Sequence, residues 1–449
     1  MKLSLAQIAN MCGGNLSLAS NPDIMIDNVS IDSRNVEDNT LFVALKGEKY
    51  DGHDFIAAVL NNGTVAALSS RQLNLPNLIY VSDTILALGL LAHNYRKLFN
   101  IPIIAITGSN GKTTVKEMVK NICSKEFGVQ NILATAGNFN NHIGMPLTLL
   151  RLNKQHKVAI IEMGMNHAGE INYLSKIANP TIAVVNNVMF AHSESFNDLT
   201  DIAQAKGEIY AGLIPDGVAL INQQSSFAPL WQKQINNVQQ VNFGVENTLC
   251  YLKFSGEGGA LTLATSKGDI NCTLKILGEH NKINAVTAAV IALELGCTIE
   301  SITLGLESYA GYKGRLEQKT AFNGALIIDD SYNANPDSVK AAILAIKNLP
   351  KPHWFILADL KEQGKFTTLV HEEVANFASE NEIDFLITIG KSSELTHNVF
   401  KGQKMHFFNN QDIVEYCKQY LPKNATLLVK GSQSMNLGEV VNQLVQLQR

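Results

Sequence analysis

The chain has 449 residues, of which 46% are hydrophobic and 17% charged, and carries a formal net charge of −4. That length suggests about three domains, each with enough apolar surface for a full core. A weakly acidic chain without a long basic run excludes nucleic acid as the main partner, and no stretch reaches the ~18–20 apolar residues of a membrane span.

The N-terminal segment has one lysine and a short apolar pattern, Leu3, Leu5 and Ile8, broken by Asn10 and Gly13. It reads as a small amphipathic helix and not as a signal peptide. Strand-like runs at 41–45, 65–68 and 78–81, with helical segments between them, make residues 1–98 a first, small α/β domain. From 99 to 312 strands and helices alternate. Runs at 101–106, 158–163, 181–185 and 217–221 read as buried parallel strands, with a helical pattern at 202–213 between the last two. Closely spaced runs at 249–254, 260–264 and 272–276 read as an antiparallel addition, and a long apolar helix at 282–295 stops at Gly296, a C-cap residue. Residues 313–449 begin a second alternation, with strands expected at 326–328, 354–358, 385–389, 405–408 and 426–429: a doubly wound, Rossmann-like sheet. The expected fold is therefore α/β in three domains. Six scattered cysteines (Cys12, Cys123, Cys250, Cys272, Cys297, Cys417) contain no close pair and point to reduced thiols in a cytoplasmic protein.

The central domain opens with Thr107-Gly108-Ser109-Asn110-Gly111-Lys112-Thr113-Thr114 between a strand and a helix. Glycines let backbone N–H groups approach phosphate oxygens, and a helix N-terminus favours their charge. Lys112 would reach the outer phosphates of a nucleotide and Thr113 a magnesium ion. The usual loop has a glycine five residues before Gly111, where this chain has Ile106, so the loop is a tighter variant starting at Gly108. A chance glycine-lysine-threonine is the bland alternative; the flanking strand, helix and doubled threonine speak against it.

Other polar residues gather at expected strand ends, where open α/β sheets bind ligands. Glu162 closes the 158–163 run, where a carboxylate suits magnesium or simply a turn. His192 lies just beyond the 181–185 run. Lys206 sits on a helix, where a lysine is most often solvated, and spacing gives it no role. Asn281 opens the long apolar helix, as a cap or as a reader of a purine edge. Arg315 lies at a domain boundary, suited to clamp phosphate or to stand exposed in a linker. Asp329-Asp330 follow a strand and precede a helix with Pro336 near its start, a ligand-loop signature.

Together these segments resemble the Mur ligase family of ATP-dependent amide-bond ligases, which also includes folylpolyglutamate synthases. The shared pieces are the phosphate loop, Glu162, His192, Ala205-Lys206, Gly278-Glu279-His280-Asn281, Gly314-Arg315 and the Asp330 loop, in family order. Ile31-Asp32-Ser33-Arg34, Lys46-Gly47-Glu48 and Asp51-Gly52-His53-Asp54-Phe55 resemble the UDP-binding domain of the two late enzymes of that pathway. Gly137-Asn138-Phe139-Asn140-Asn141-His142 and Tyr332-Asn333-Ala334-Asn335-Pro336 resemble the member that adds D-alanyl-D-alanine; the Asp-Asn-Pro-Arg motif of the member adding the third peptide residue is absent.

The resemblance implies ATP-dependent ligation of D-alanyl-D-alanine to UDP-N-acetylmuramoyl-tripeptide through an acyl phosphate, by a cytoplasmic monomer. It implies ATP, two Mg2+ ions and a carbamylated lysine at Lys206 whose carbamate helps hold one ion. Thr113 and Glu162 match ligands of the nucleotide magnesium, and His192 matches a ligand of the second ion. Lys112 and its loop match phosphate contacts; Asn281, Asp330 and Asn333 match nucleotide contacts, and Arg315 an arginine reaching the phosphates. Ser33, Arg34, Lys46, Gly47, Asp51 and His53 match uridine and diphosphate contacts, with Asn138, Asn140 and Asn141 as further substrate contacts. The chain departs from the family at Ala358, commonly glycine, and at Gln433, commonly arginine. Competing readings are the ligase adding the third residue, a folylpolyglutamate-type ligase, a GTP switch and an inactive binding protein. Arg34 and the 47–53 segment favour a UDP-sugar substrate, and the Asn-Lys-x-Asp guanine motif of switches fails at both Asn153-Lys154 and Asn281-Lys282.

Overall fold

A computed structural model describes residues 1–34, 36–61, 65–190 and 196–445. The α/β expectation holds, with three main sheets. The first orders its strands Asn15–Leu16, Leu78–Tyr80, Ala66–Ser69, Thr40–Val43 and Asn28–Ser30, parallel except for the opening pair. The amphipathic N-terminus forms the helix Leu5–Cys12, started by a Ser4–Gln7 capping box and stopped at Gly13.

The helix Thr84–Arg96 fastens this sheet to the next. Arg96 donates to the carbonyls of Ala178 (2.9 Å) and Asn179 (3.0 Å), and Tyr95 Oη donates to that of Leu152 (2.8 Å). Gly89 permits the approach, because a Cβ there would stand 2.3 Å from the Tyr173 hydroxyl. One apolar core consequently runs from Leu5 and Ile8 through Leu88 and Leu91 to Ile171 and Leu174.

The central sheet is wholly parallel, ordered Gln239–Phe243, Val218–Asn222, Ile182–Val185, Ile103–Thr107, Val158–Glu162 and Ile132–Ala134. The two edge strands escape the apolar-run reading: one has three residues, and the other exposes Gln239, Gln240 and Asn242. The antiparallel addition is present as Cys250–Ser255, Ala260–Thr265 and Ile270–Thr273. The long apolar helix spans Glu279–Glu294, three residues earlier than its apolar pattern suggests.

The last sheet is ordered Glu317–Thr320, Leu326–Asp330, Thr426–Lys430, His353–Ala358, Phe385–Ile389 and Gln403–Phe407, with only the first strand antiparallel. Alternate strand residues feed two cores: Ile327 and Ile356 face Ile413 and Val440, while Ile328 and Phe355 face Val339 and Val374. All six cysteines are buried and unpaired, and among the described residues no helix is long and apolar enough to cross a membrane.

Candidate active site

The fully buried strand Ile103–Thr107 delivers the phosphate loop to the N-terminus of the helix Lys112–Phe127. Gly111 caps that helix at φ +76°, and a Cβ there would meet Asn284 Oδ1 at 2.5 Å, so both backbone and space require glycine. The loop is strapped to the end of the neighbouring strand. Ser109 N donates to Asn187 O (3.0 Å), Asn110 N to Asn187 Oδ1 (2.9 Å), and Ser109 Oγ to Met189 O (2.9 Å). Thr107 Oγ1 donates to Met163 O (2.9 Å). Lys112 folds back, its Nζ donating to the carbonyls of Gly108 (2.6 Å) and Ser109 (3.2 Å). Burial lowers its pKa; Glu162 opposes the shift and Arg315 adds to it.

Behind the loop lies a chain of buried amides. Asn186 Nδ2 donates to Asn110 O (3.1 Å) and Asn284 Oδ1 (2.9 Å), and Asn284 Nδ2 donates to Asn281 Oδ1 (3.0 Å). Asn281 is not the helix cap. Gly278 holds that position, and Asn281 lies inside the first turn, donating to Leu277 O (2.6 Å) and lining the cavity. The three-residue spacing of Asn281 and Asn284, one face of a helix, was the signal for this pair.

Glu162 ends its strand beside the loop. Its Oε2 accepts from Thr113 Oγ1 (3.1 Å) and its Oε1 from Asn140 Nδ2 (2.8 Å). A hydroxyl and a carboxylate in contact at a phosphate loop are the hard oxygen donors that magnesium takes, so these residues fit that ion. Among the described residues no group of three or more His, Cys, Asp or Glu forms a metal cluster. Lys116, unremarked in the sequence, is fully buried. It donates to Thr135 O (2.7 Å), pairs with Glu117 (3.0 Å), and stands 4.0 Å from Glu162 Oε2 and 5.5 Å from the centre of the Tyr312 ring.

Lys206 corrects the solvated-helix reading. It lies in the last turn of Leu199–Gly207, 2% exposed, and among the described residues its ammonium has no hydrogen-bond or ion-pair partner. Burial first, and the charge of Lys112 second, hold its pKa well below the usual lysine value. His192 falls outside the described residues.

The C-terminal sheet supplies the opposite wall. The tandem acids point to opposite faces. Asp329 binds Lys319 (2.7 Å) and Ser331 Oγ (2.6 Å), whereas Asp330 pairs with the buried Lys430 (2.5 Å), whose Nζ also donates to Asn333 O (3.0 Å). Burial lowers the Lys430 pKa, against the pull of Asp330. Asn335 caps the helix Pro336–Ile346 and exchanges side-chain hydrogen bonds with Asn110 of the phosphate loop (2.7 and 3.3 Å). The Arg315 guanidinium lies 4.2 Å from the centre of the Tyr332 ring, and that ring meets Tyr312 edge-on. Between the walls lies a cavity of about 390 Å³ that takes Gly111, Asn281 and Asn284 from one side and Arg315, Asp330 and Lys430 from the other. Lys430→Met, which strands the Asp330 carboxylate, is expected to lower unfolding free energy in urea by about 3 kcal/mol. A change below about 1 kcal/mol would show that the pair contributes nothing to the fold.

The N-terminal candidates form a separate group. Lys46 and Asp51 bridge a tight turn closed by Gly47 N to Tyr50 O (2.9 Å). Ser70 N donates to His53 Nε2 (3.1 Å), leaving Nδ1 to donate to Asp51 Oδ1 (2.6 Å). Arg34 is exposed and paired with Asp32 (2.8 Å), next to half-buried Ser33. Of the asparagines at 138–141, Asn140 reaches Glu162, Asn141 Oδ1 accepts from the N–H groups of Ile143 and Gly144 just before the helix Gly144–Leu149, and Asn138 is exposed.

Three family models cover most of the chain: residues 25–105 match the Mur ligase family catalytic domain, 106–292 the Mur ligase middle domain, and 314–433 the Mur ligase glutamate ligase domain. The chain belongs to the Mur ligase family. Its sequence is 36% identical to the UDP-N-acetylmuramoyl-tripeptide–D-alanyl-D-alanine ligase of Haemophilus influenzae, over 99% of this chain and 98% of that protein. A crystal structure of MurF from Acinetobacter baumannii superposes with a TM-score of 0.92 at 32% identity, covering 99% of each chain. MurF from Thermotoga maritima in complex with ADP superposes with a TM-score of 0.83 at 26% identity, covering 94% of this chain and 97% of that one.

Within this Mur ligase both departures have a structural context. Ala358 ends a buried strand, and a Cβ on Gly431 would stand 2.5 Å from its methyl, so alanine here demands glycine there. Gln433 is exposed at the start of a short turn.

Proposed function

We propose that this Mur ligase joins D-alanyl-D-alanine to UDP-N-acetylmuramoyl-tripeptide, driven by ATP. The chain is an ATP-dependent ligase, and full-length relatives carry the name of this activity. The observation that supports the reading best is the cavity in which the phosphate loop faces Arg315, Asp330 and Lys430 from the other wall. A fuel held there is open to a second reactant from the C-terminal side.

A peptide carboxylate is a poor acyl donor at neutral pH. In the proposed reaction its oxygen attacks the terminal phosphorus of ATP, the bond to ADP breaks, and an acyl phosphate forms. The dipeptide amine then attacks the carbonyl carbon, phosphate leaves with the bridging oxygen, and the nitrogen gives up a proton. Most of the protein's contribution is positioning and charge neutralisation. Lys112 turns its ammonium from the loop carbonyls to the outer phosphates, and Arg315, held by its tyrosine, meets them from the other wall. Asn281, Asp330 and Asn333 hold the rest of the nucleotide. Magnesium, when bound by Thr113 and Glu162 and at a second position by His192 and carbamylated Lys206, neutralises phosphate charge. Ser33, Arg34, Lys46, Gly47, Asp51 and His53 bind the uridine diphosphate end, with Asn138, Asn140 and Asn141 toward the peptide. Residues 1–98, 99–312 and 313–449 thus serve the nucleotide sugar, ATP and the dipeptide in turn. The buried, unpaired cysteines suit a reducing cytoplasm.

Phosphate release measured with ATP, the UDP-linked tripeptide and the dipeptide, omitting each in turn, tests this. Release is expected to reach full rate only with all three present. Turnover indifferent to the dipeptide would contradict the reading.

A further inference from the structure

We propose that Lys116 is a specificity-determining residue: its buried ammonium is the resident counter-ion of Glu162 and keeps that carboxylate from holding a divalent cation until the cation arrives with nucleotide phosphate. This rests on the reading of Thr113 and Glu162 as ligands of the nucleotide magnesium, and it adds the group that decides when they take the ion.

Glu162 is 2% exposed, and a carboxylate so deeply buried requires a compensating charge. Among the described residues its one ion pair is with Lys116, whose Nζ stands 4.0 Å from Oε2, the same oxygen that accepts from Thr113. The lysine is itself fully buried, with the Tyr312 ring centre 5.5 Å away. Its Nζ donates to Thr135 O (2.7 Å), and Thr135 Oγ1 accepts the backbone N–H of Glu162 (3.0 Å). One threonine thus anchors both the ammonium and the strand end that it faces.

The charge does not end there. Thr113, Lys116, Glu117 and Lys120 follow one another at helical spacing along the helix Lys112–Phe127. Glu117 pairs through Oε1 with Lys116 (3.0 Å) and through Oε2 with Lys120 (3.3 Å). Glu162, Lys116, Glu117 and Lys120 therefore alternate in sign, two acids against two bases, and balance with no ion present.

That balance sets a threshold for metal. An ion on Glu162 Oε2, at the ~2.1 Å of a magnesium–oxygen bond, lies within about 6 Å of the Lys116 ammonium. At that separation the ammonium repels a divalent ion strongly; Glu117 offsets much of the repulsion and leaves an effect of about tenfold in affinity. A nucleotide triphosphate brings several negative charges, enough to outweigh one ammonium, so the ion enters with it and not alone.

Titration of Mn2+, a paramagnetic stand-in for magnesium, into the nucleotide-free enzyme tests this, with free Mn2+ read by electron paramagnetic resonance. Lys116→Met, which removes the ammonium, is expected to tighten Mn2+ binding about 10-fold. Glu117→Gln, which releases the ammonium from its partner, is expected to weaken it by a similar factor. The second variant keeps Lys116 and its bond to Thr135, so it tests the same charge without opening the core. A role in packing alone would move both variants in one direction or neither. Binding no tighter in Lys116→Met, or unchanged or tighter in Glu117→Gln, would overturn the proposal and leave Glu162 as a metal ligand. Adding Glu162→Gln to Lys116→Met should abolish the gain; a gain that survives would place the ion elsewhere and overturn the ligand reading itself.

Discussion

Lys112→Ala is expected to abolish ligation and acyl-phosphate formation, lowering turnover by about three orders of magnitude or more, while the UDP substrate still binds normally. The loop is held by Asn187 and Met189 independently of the lysine's own bonds to its carbonyls. The ammonium lies against the carbonyls of Gly108 and Ser109, with burial already depressing its pKa, so a polyanion arriving at the loop is a better partner than either carbonyl. In the proposed role, its loss removes charge neutralisation at the terminal phosphate, where charge moves in the transition state. The residues of the first domain proposed to bind UDP make no described hydrogen bond to this loop, so calorimetric titration with the UDP substrate should be nearly unchanged. Near-normal turnover in Lys112→Ala would sink the assignment of the loop.

The second large effect concerns Lys206. Carbamylation consumes a neutral amine and CO2, and this amine is buried, partnerless among the described residues, and shifted far toward the neutral form. Removing CO2 from the buffer is expected to lower kcat at least ~10-fold, with recovery on adding bicarbonate, and Lys206→Ala should lose ~100-fold or more and stop responding to bicarbonate. Labelled 13CO2 should give a carbamate signal in the unaltered protein that vanishes in Lys206→Ala. The pH dependence has a definite sign. The neutral amine predominates above its lowered pKa, so activity should fall as pH drops through that value. For the unmodified side chain, the unfolded chain binds the additional proton between the lowered and the ordinary lysine pKa, so stability should rise with pH across that interval. Full activity in CO2-free buffer, with no carbamate signal, would contradict the assignment.

Much of the fold was legible because its central strands are continuous apolar runs, as parallel strands buried on both faces must be. The strands that escaped notice lie at edges. Glu317–Thr320 and Gln239–Phe243 are polar because one side faces water, and Ile132–Ala134 is too short to show a period. The phosphate loop, Glu162 and Asp330 stood out because their chemistry is local to a strand end. Lys116 and Lys430 did not, and Lys206 did so only through the family resemblance. A buried lysine has the same spelling as a solvated one, and only the packing of distant segments shows that Lys430 meets Asp330 and that Lys116 meets Glu162. Asn186 lay hidden for the same reason, since its partners Asn110 and Asn284 are far away in the chain.

In the proposed reaction ATP activates the peptide carboxylate before the amine attacks. The most direct measurement follows 18O placed in both carboxylate oxygens of the tripeptide's terminal residue through one round of ligation. The released phosphate should carry one labelled oxygen and the new amide the other. Phosphate free of label, with ligation proceeding at its normal rate, would contradict an acyl-phosphate route.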